Sequence, residues 1–293
     1  MSIELLLTGH DRDLGGGFMV RRLLPADSRR SIGPFVFFDH FGPTTERPGA
    51  NHDVRPHPHI GLSTVTYLFE GAMVHRDSLG FVQKIEPGAV NWMTAGRGIV
   101  HSERRPQEMR EQTFVNHGIQ LWAALPAEHE EVEPSFVHTP ASALPRLKAD
   151  DADVRVMIGE AFGATSPVAT YSKTIYLDIA LPAQGRLTLP QLAPELAAYP
   201  VDGEVLVDGA PVAARTLAVL APGASVQLEA RAAVRLVVLG GDALVEHRFI
   251  WWNFVSTRKE RIAQAAQDWQ AQALGQVPGE TELIPLPERR FIA

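Results

Sequence analysis

Two short stretches hold the residues most able to do chemistry together: Arg55-Pro56-His57-Pro58-His59 and Gly98-Ile99-Val100-His101-Ser102-Glu103. Both read as β-strand, in which residues i and i+2 share a face. His57 and His59 then sit side by side, and so do His101 and Glu103. If the two strands lie close together, three imidazoles and one carboxylate converge. That donor set suits a first-row divalent ion, iron(II) first, with manganese, nickel, copper, cobalt or zinc as alternatives. On an octahedral ion, His57, His59, His101 and Glu103 leave two adjacent positions open for a bidentate substrate, or for substrate plus dioxygen. On tetrahedral zinc the same four would close the site and make it structural.

The chain that must position these groups has 293 residues, a length that suggests two domains. Hydrophobic residues make up 45% and charged residues 21%, which describes an ordinary globular protein. A net charge of −7 argues against direct nucleic-acid binding, which needs basic groups to neutralise phosphates. Cysteine is absent, which excludes disulfides and thiolate ligands and fits a reducing compartment. The N-terminus has no basic region, and no apolar run approaches the ~20 residues that span a bilayer. We therefore expect a soluble, cytoplasmic protein without a membrane partner. Ten of the eleven histidines lie between His10 and His138, so imidazole chemistry belongs to the first half.

The first half reads as a succession of short strands. Apolar pieces at 3–7 and 18–24 are separated by Gly15-Gly16-Gly17, and a buried-strand candidate at 35–38 is followed by an expected turn at Gly42-Pro43. The run 62–69 follows Gly61, a candidate bulge that resets the alternation. Turn signals at 78–80, 87–88 and 96–98 recur about every ten residues, a spacing typical of antiparallel barrels or sandwiches. A strand at 114–125 ends at Pro126. The acidic run 128–133 reads as part of a solvated linker, placed at 126–135. Residues 136–255 are β-rich again, with strands expected at 176–181, 204–207, 215–220, 226–229 and 234–239. Asp202-Gly203 and Ala221-Pro222-Gly223 faintly repeat Glu70-Gly71 and Glu86-Pro87-Gly88.

One helix is expected, at 256–274. Ser256 or Thr257 would cap it, Glu260 would complete a capping box, and Gly275 would end it. Ile262, Ala266, Trp269 and Ala273 would form its apolar stripe. The tail 276–293 is expected to pack as an extended piece. The fold class is thus all-β: two tandem antiparallel barrels or sandwiches with a short C-terminal helix. The segments are 1–125 (metal-binding domain), 126–135 (linker), 136–255 (domain without ligands) and 256–293 (helix and tail). His52, His75 and His117 read as supporting or surface residues, Asp39-His40 as structural, and Trp251-Trp252 with Phe254 as core or inter-domain packing.

These motifs resemble those of the pirin family of the cupin superfamily. The resemblance runs through Phe38-Asp39-His40-Phe41-Gly42-Pro43, His57-Pro58-His59-Ile60-Gly61 and Thr66-Tyr67-Leu68-Phe69-Glu70-Gly71. It continues in Trp92-Met93-Thr94-Ala95-Gly96-Arg97-Gly98-Ile99-Val100-His101-Ser102-Glu103, the most specific string, and in Trp252-Asn253-Phe254-Val255. It implies a bicupin, two tandem antiparallel β-barrels of which only the first binds metal, through His57, His59, His101 and Glu103. Many cupins carry a glutamate shortly after the first histidine pair. Leu62, Ser63 and Thr64 stand there in this chain, which leaves Glu103 as the only motif carboxylate.

The resemblance also implies two functions. One is a metal-dependent flavonol (quercetin) 2,3-dioxygenase acting on a small aromatic substrate and O2, with Glu103 as the catalytic residue that leaves the metal to act as general base, ring cleavage and release of carbon monoxide. The other is a redox-sensitive regulator that acts through a protein partner. The first is the expected function.

Overall fold

A computed structural model describes residues 2–14, 17–223, 225–289 and 291. Gly15 and Gly16 of the expected glycine break, and the last two residues of the tail, fall outside them. Strands dominate, and Lys259–Gln270 is the one α-helix among the described residues. None of the described helices is long and apolar enough to cross a membrane. Cut by contacts, the chain falls into two units that interleave in sequence. One holds residues 1–10, 22–37 and 139–244; the other holds 11–21, 38–138 and 245–293.

The first unit is aliphatic inside. Its seven-stranded sheet runs in the order Ile3–Leu7, Leu217–Leu220, Glu195–Pro200, Val234–Gly241, Thr174–Leu181, Ala152–Ile158, Arg146–Ala149. A four-stranded sheet, Arg186–Leu189, Val226–Glu229, Val205–Val207, Ala210–Val212, completes it. Alternate residues of both sheets, among them Val154, Val156, Leu177, Ile179, Leu187, Leu228, Leu236 and Val238, fill one core. The period of two in the sequence is thus spent wholly on hydrophobic burial.

The second unit repeats this plan with a different filling. The larger sheet, most of whose residues belong to it, runs Ser135–Thr139, Val90–Thr94, Leu62–Glu70, Phe114–Ala124, Phe35–Glu46, Met19–Leu24, His10–Asp13. Its four-stranded sheet runs Val54–His59, Ile99–Arg104, Met73–Asp77, Val82–Ile85. The expected turn at Gly42-Pro43 is not a turn, because both residues lie inside the strand Phe35–Glu46. Gly61 does separate two strands: at φ +68 it joins Val54–His59 to Leu62–Glu70, and an added Cβ would lie 1.9 Å from the Val255 carbonyl oxygen. No other residue fits that corner.

The helix begins later than its sequence suggests. Its N-cap is Arg258, which makes no side-chain capping bond. Ser256 Oγ instead accepts from the Arg258 amide at 3.0 Å. The entry is held from a distance by Glu130, whose carboxylate accepts from the Thr257 amide at 2.8 Å and from Ser256 Oγ at 2.8 Å. Within the acidic run 128–133, expected to be solvated, Glu130 is therefore the exception: it is buried and lies 3.4 Å from Arg248. Ile262, Ala265 and Trp269 form the buried face of the helix, so Ala265 takes a place that periodicity assigned to Ala266 and Ala273. Phe254 packs with them inside this unit.

Removing Glu130 would leave the buried Arg248 guanidinium with only the exposed Glu246 carboxylate, 3.5 Å away, as an ionic partner. We expect Glu130→Ala to destabilise the protein by about 3–5 kcal/mol. A urea titration checks this as a lower midpoint at constant slope; an unchanged midpoint would contradict it.

Candidate metal centre

The pairing of three strands assembles the centre. Ile99–Arg104 lies between Val54–His59 and Met73–Asp77, antiparallel to both. On one side His101 pairs with His57, and Ile99 pairs with His59. On the other, His101 pairs with Asp77, and Glu103 pairs with His75. Directly paired residues of an antiparallel ladder share a face. His57, His59, His101, Glu103, His75 and Asp77 therefore all project from the same side of this sheet.

The three expected imidazoles do come together. Ring centroids of His57 and His101 are 4.3 Å apart, and each is 5.0 Å from that of His59. Their ligand nitrogens lie within 4.8 Å of one another, and they form the one such group of three or more among the described residues. Trp122, from the larger sheet, sets its ring edge-on to His59 at 5.1 Å, giving the site an aromatic wall.

The hydrogen bonds decide which nitrogen each ring presents. His57 Nδ1 donates to the Arg55 carbonyl at 2.9 Å, and His59 Nδ1 donates to the Asn253 carbonyl at 3.2 Å. A carbonyl only accepts, so each Nδ1 carries the proton and each Nε2 keeps its lone pair. His101 Nδ1 faces His75 Nδ1 at 3.4 Å, while its Nε2 is buried and has no hydrogen-bond partner. A buried polar atom left unpaired costs about 1–3 kcal/mol, a deficit that a bond to a metal would cancel.

Electrostatics point the same way. Burial pushes the His57 imidazole down to about 4, and burial followed by repulsion from neighbouring imidazoles holds His59 and His101 well below the usual value. Neutral imidazoles are the form that binds metal. Three of them fit a borderline divalent ion, and the centre is a candidate site for one.

Glu103 is half-buried on the same face, and burial pushes its carboxyl up to about 7. Its carboxylate is not a member of the 4.8 Å group. On the side of Val54–His59 the register shifts between His101 and Glu103, so Glu103 pairs with Val54 instead of Arg55, the extra residue lying in Val54–His59.

Of the remaining histidines, His75 stands directly behind His101. His117 meets buried His40 with Nε2···Nε2 at 2.7 Å, and His52 meets Glu46 at 2.7 Å. Asn253 was not singled out from sequence, since its contribution is a backbone carbonyl 194 positions from His59. Its only sequence signal was membership of the Trp252-Asn253-Phe254-Val255 string.

Two cupin domains, one bearing a three-histidine centre and the other filled with aliphatic side chains, define the class of this protein. The family model described as Pirin matches residues 17–123, and the one described as Pirin C-terminal cupin domain matches residues 176–275. The chain belongs to the pirin family. It is 47% identical to a pirin-like protein of Caulobacter vibrioides, over 98% of this chain and 100% of that one. It is 34% identical to human pirin over 91% of each chain. A crystal structure of quercetin 2,3-dioxygenase from Acinetobacter baumannii superposes with a TM-score of 0.89 at 33% identity, covering 99% of this chain and 97% of that one.

A divalent ion at one hundred times its dissociation constant should stabilise the fold by about 2.7 kcal/mol. We expect thermal unfolding of chelator-stripped protein to shift upward on addition of the ion. His59→Ala should abolish the shift. A shift that survives in the variant would place the bound ion elsewhere.

Proposed function

We propose that this protein is a metal-dependent dioxygenase of the flavonol (quercetin) 2,3-dioxygenase type, with iron(II) as the resident ion. The observation that carries the proposal is the cluster of three buried imidazoles whose ligand nitrogens lie within 4.8 Å of one another, each with its Nδ1 engaged elsewhere. The likeness to the Acinetobacter baumannii quercetin 2,3-dioxygenase supports the choice of substrate class. His57, His59 and His101 would hold the ion, with Glu103 as a fourth ligand once its side chain turns inward. The ion would supply Lewis acidity toward the flavonol hydroxyl.

The protein's own groups have separate tasks. Glu103 would take the hydroxyl proton, since it is the carboxylate on the ligand face two residues from His101. Trp122 would stack against or wall off the planar ring system beside His59. The apolar packing around the three imidazoles would keep bulk water from the reacting ring.

The test is aerobic turnover of quercetin by iron-loaded protein, followed by loss of flavonol absorbance and by carbon monoxide release. We expect turnover in the wild type, none in His101→Ala, and a fall of about 100-fold or more in Glu103→Gln, the usual range for a lost general base. Equal rates for Glu103→Gln would remove that residue from the chemistry. Absence of turnover with iron, manganese, nickel, copper and cobalt alike would overturn the activity.

A further inference from the structure

Of the three imidazoles in the centre, His101 alone is backed by another side chain. His57 and His59 each give their Nδ1 proton to a backbone carbonyl. His101 Nδ1 faces His75 Nδ1 at 3.4 Å, and His75 Nε2 lies 2.8 Å from Asp77 Oδ2. All three side chains are buried, Asp77 completely. The other carboxylate oxygen of Asp77 accepts from the Leu79 amide at 2.9 Å and from the Phe81 amide at 3.1 Å. Asp77 is thus locked in place, and His75 is held flat against the Phe136 ring, 4.1 Å between centroids and 9° between planes.

Proton positions follow from this arrangement. A carboxylate can only accept, so His75 Nε2 must carry a hydrogen and give it to Asp77. In the neutral His75 ring Nδ1 is then an acceptor, and His101 Nδ1 supplies the proton it receives. His101 Nε2 is left as a lone pair, which agrees with its being buried and without a partner.

We propose that His75 and Asp77 are positioning residues: a carboxylate-imidazole relay that holds His101 in its metal-binding tautomer and tunes the grip of the centre on its ion. The inference rests on the reading of His57, His59 and His101 as metal ligands. Neither residue touches the ion. Partners of this kind orient a ligating imidazole and raise its basicity, and losing one typically weakens metal binding about 10–100-fold.

Asp77→Asn is the discriminating variant. Its amide oxygen can still accept from Leu79 and Phe81, which turns the NH2 group toward His75. His75 must then accept at Nε2, carry its hydrogen on Nδ1 and give it to His101 Nδ1. That moves the His101 proton onto Nε2, the nitrogen needed by the metal. His75→Phe keeps the stacking on Phe136 but accepts nothing. His75→Gln restores an acceptor for His101 and a donor for Asp77.

The experiment measures cobalt(II) affinity of the chelator-stripped full chain by competition with a coloured chelator, and records the visible ligand-field spectrum of each complex. Unfolding midpoints of the metal-free variants are measured alongside. We expect Asp77→Asn and His75→Phe to weaken cobalt(II) binding about 10–100-fold and to shift the spectrum, with His75→Gln close to wild type. Should Asp77→Asn not fold, the contrast between His75→Phe and His75→Gln carries the test alone. Wild-type affinity and spectrum in all variants would overturn the relay while leaving the metal centre intact. Equal losses in His75→Phe and His75→Gln would also overturn it, reducing His75 to a packing group. A wild type that binds no cobalt(II) would remove the metal reading and the relay with it.

Discussion

An imidazole can bind a metal through one nitrogen only if the proton stays on the other, and a buried proton needs an acceptor. The histidine-bearing unit is arranged around that requirement three times over. His57 finds its acceptor two residues back on its own strand, at the Arg55 carbonyl. His59 finds one in the turn between the strands Phe249–Trp251 and Phe254–Ser256. His101 finds one on the neighbouring strand, in a side chain that is itself anchored to a carboxylate. With every Nδ1 engaged, Nε2 is the nitrogen each ring has left to offer, in surroundings that keep the imidazoles neutral.

The ligand strands have a second face, and it is as fully occupied as the first. Val100, next to His101, packs with Ile60, Phe254, Ile262, Ala265, Trp269 and Val277. Ser102 donates to Glu280 at 2.7 Å, and Arg104 forms an ion pair with the same carboxylate. The Ile284 amide donates to the Pro56 carbonyl at 2.8 Å, and Trp269 Nε1 donates to Ile284 oxygen at 3.0 Å. Helix and tail together thus clamp Val54–His59 and Ile99–Arg104 from behind. A backbone so restrained keeps its three imidazoles within a narrow range of positions, which is what a metal site requires.

The two units show what one sheet plan can host. Each pairs a seven-stranded with a four-stranded sheet, and the repeated Gly71, Gly88, Gly203 and Gly223 all adopt positive φ at their turns. In one unit the alternating inward positions are valines, leucines and isoleucines, and burial of apolar area stabilises the fold. In the other, several of those positions hold histidines and other polar side chains, each needing a hydrogen bond. The polar filling obtains part of its support from the segment 245–293, which belongs to that same unit despite its distance in sequence.

Strand alternation is a local property, so the sequence alone determined the all-β class, the two strands that carry the candidate ligands, and the shared face of His57 with His59 and of His101 with Glu103. Glycine and proline spacing placed most of the turns for the same reason: backbone restrictions act within a few residues. The turn expected at Gly42-Pro43 shows the limit, because ladder bonds across Phe35–Glu46 outweighed the local signal. Only the tertiary structure decided which nitrogen each histidine offers, that Glu103 stands off from the triad, that His75 and Asp77 back His101, and that Glu130 caps the helix entry. Those outcomes depend on strand register and on partners such as Asn253 that lie far along the chain. No local pattern encodes them, since a hydrogen bond across 194 positions exists only once the chain has folded.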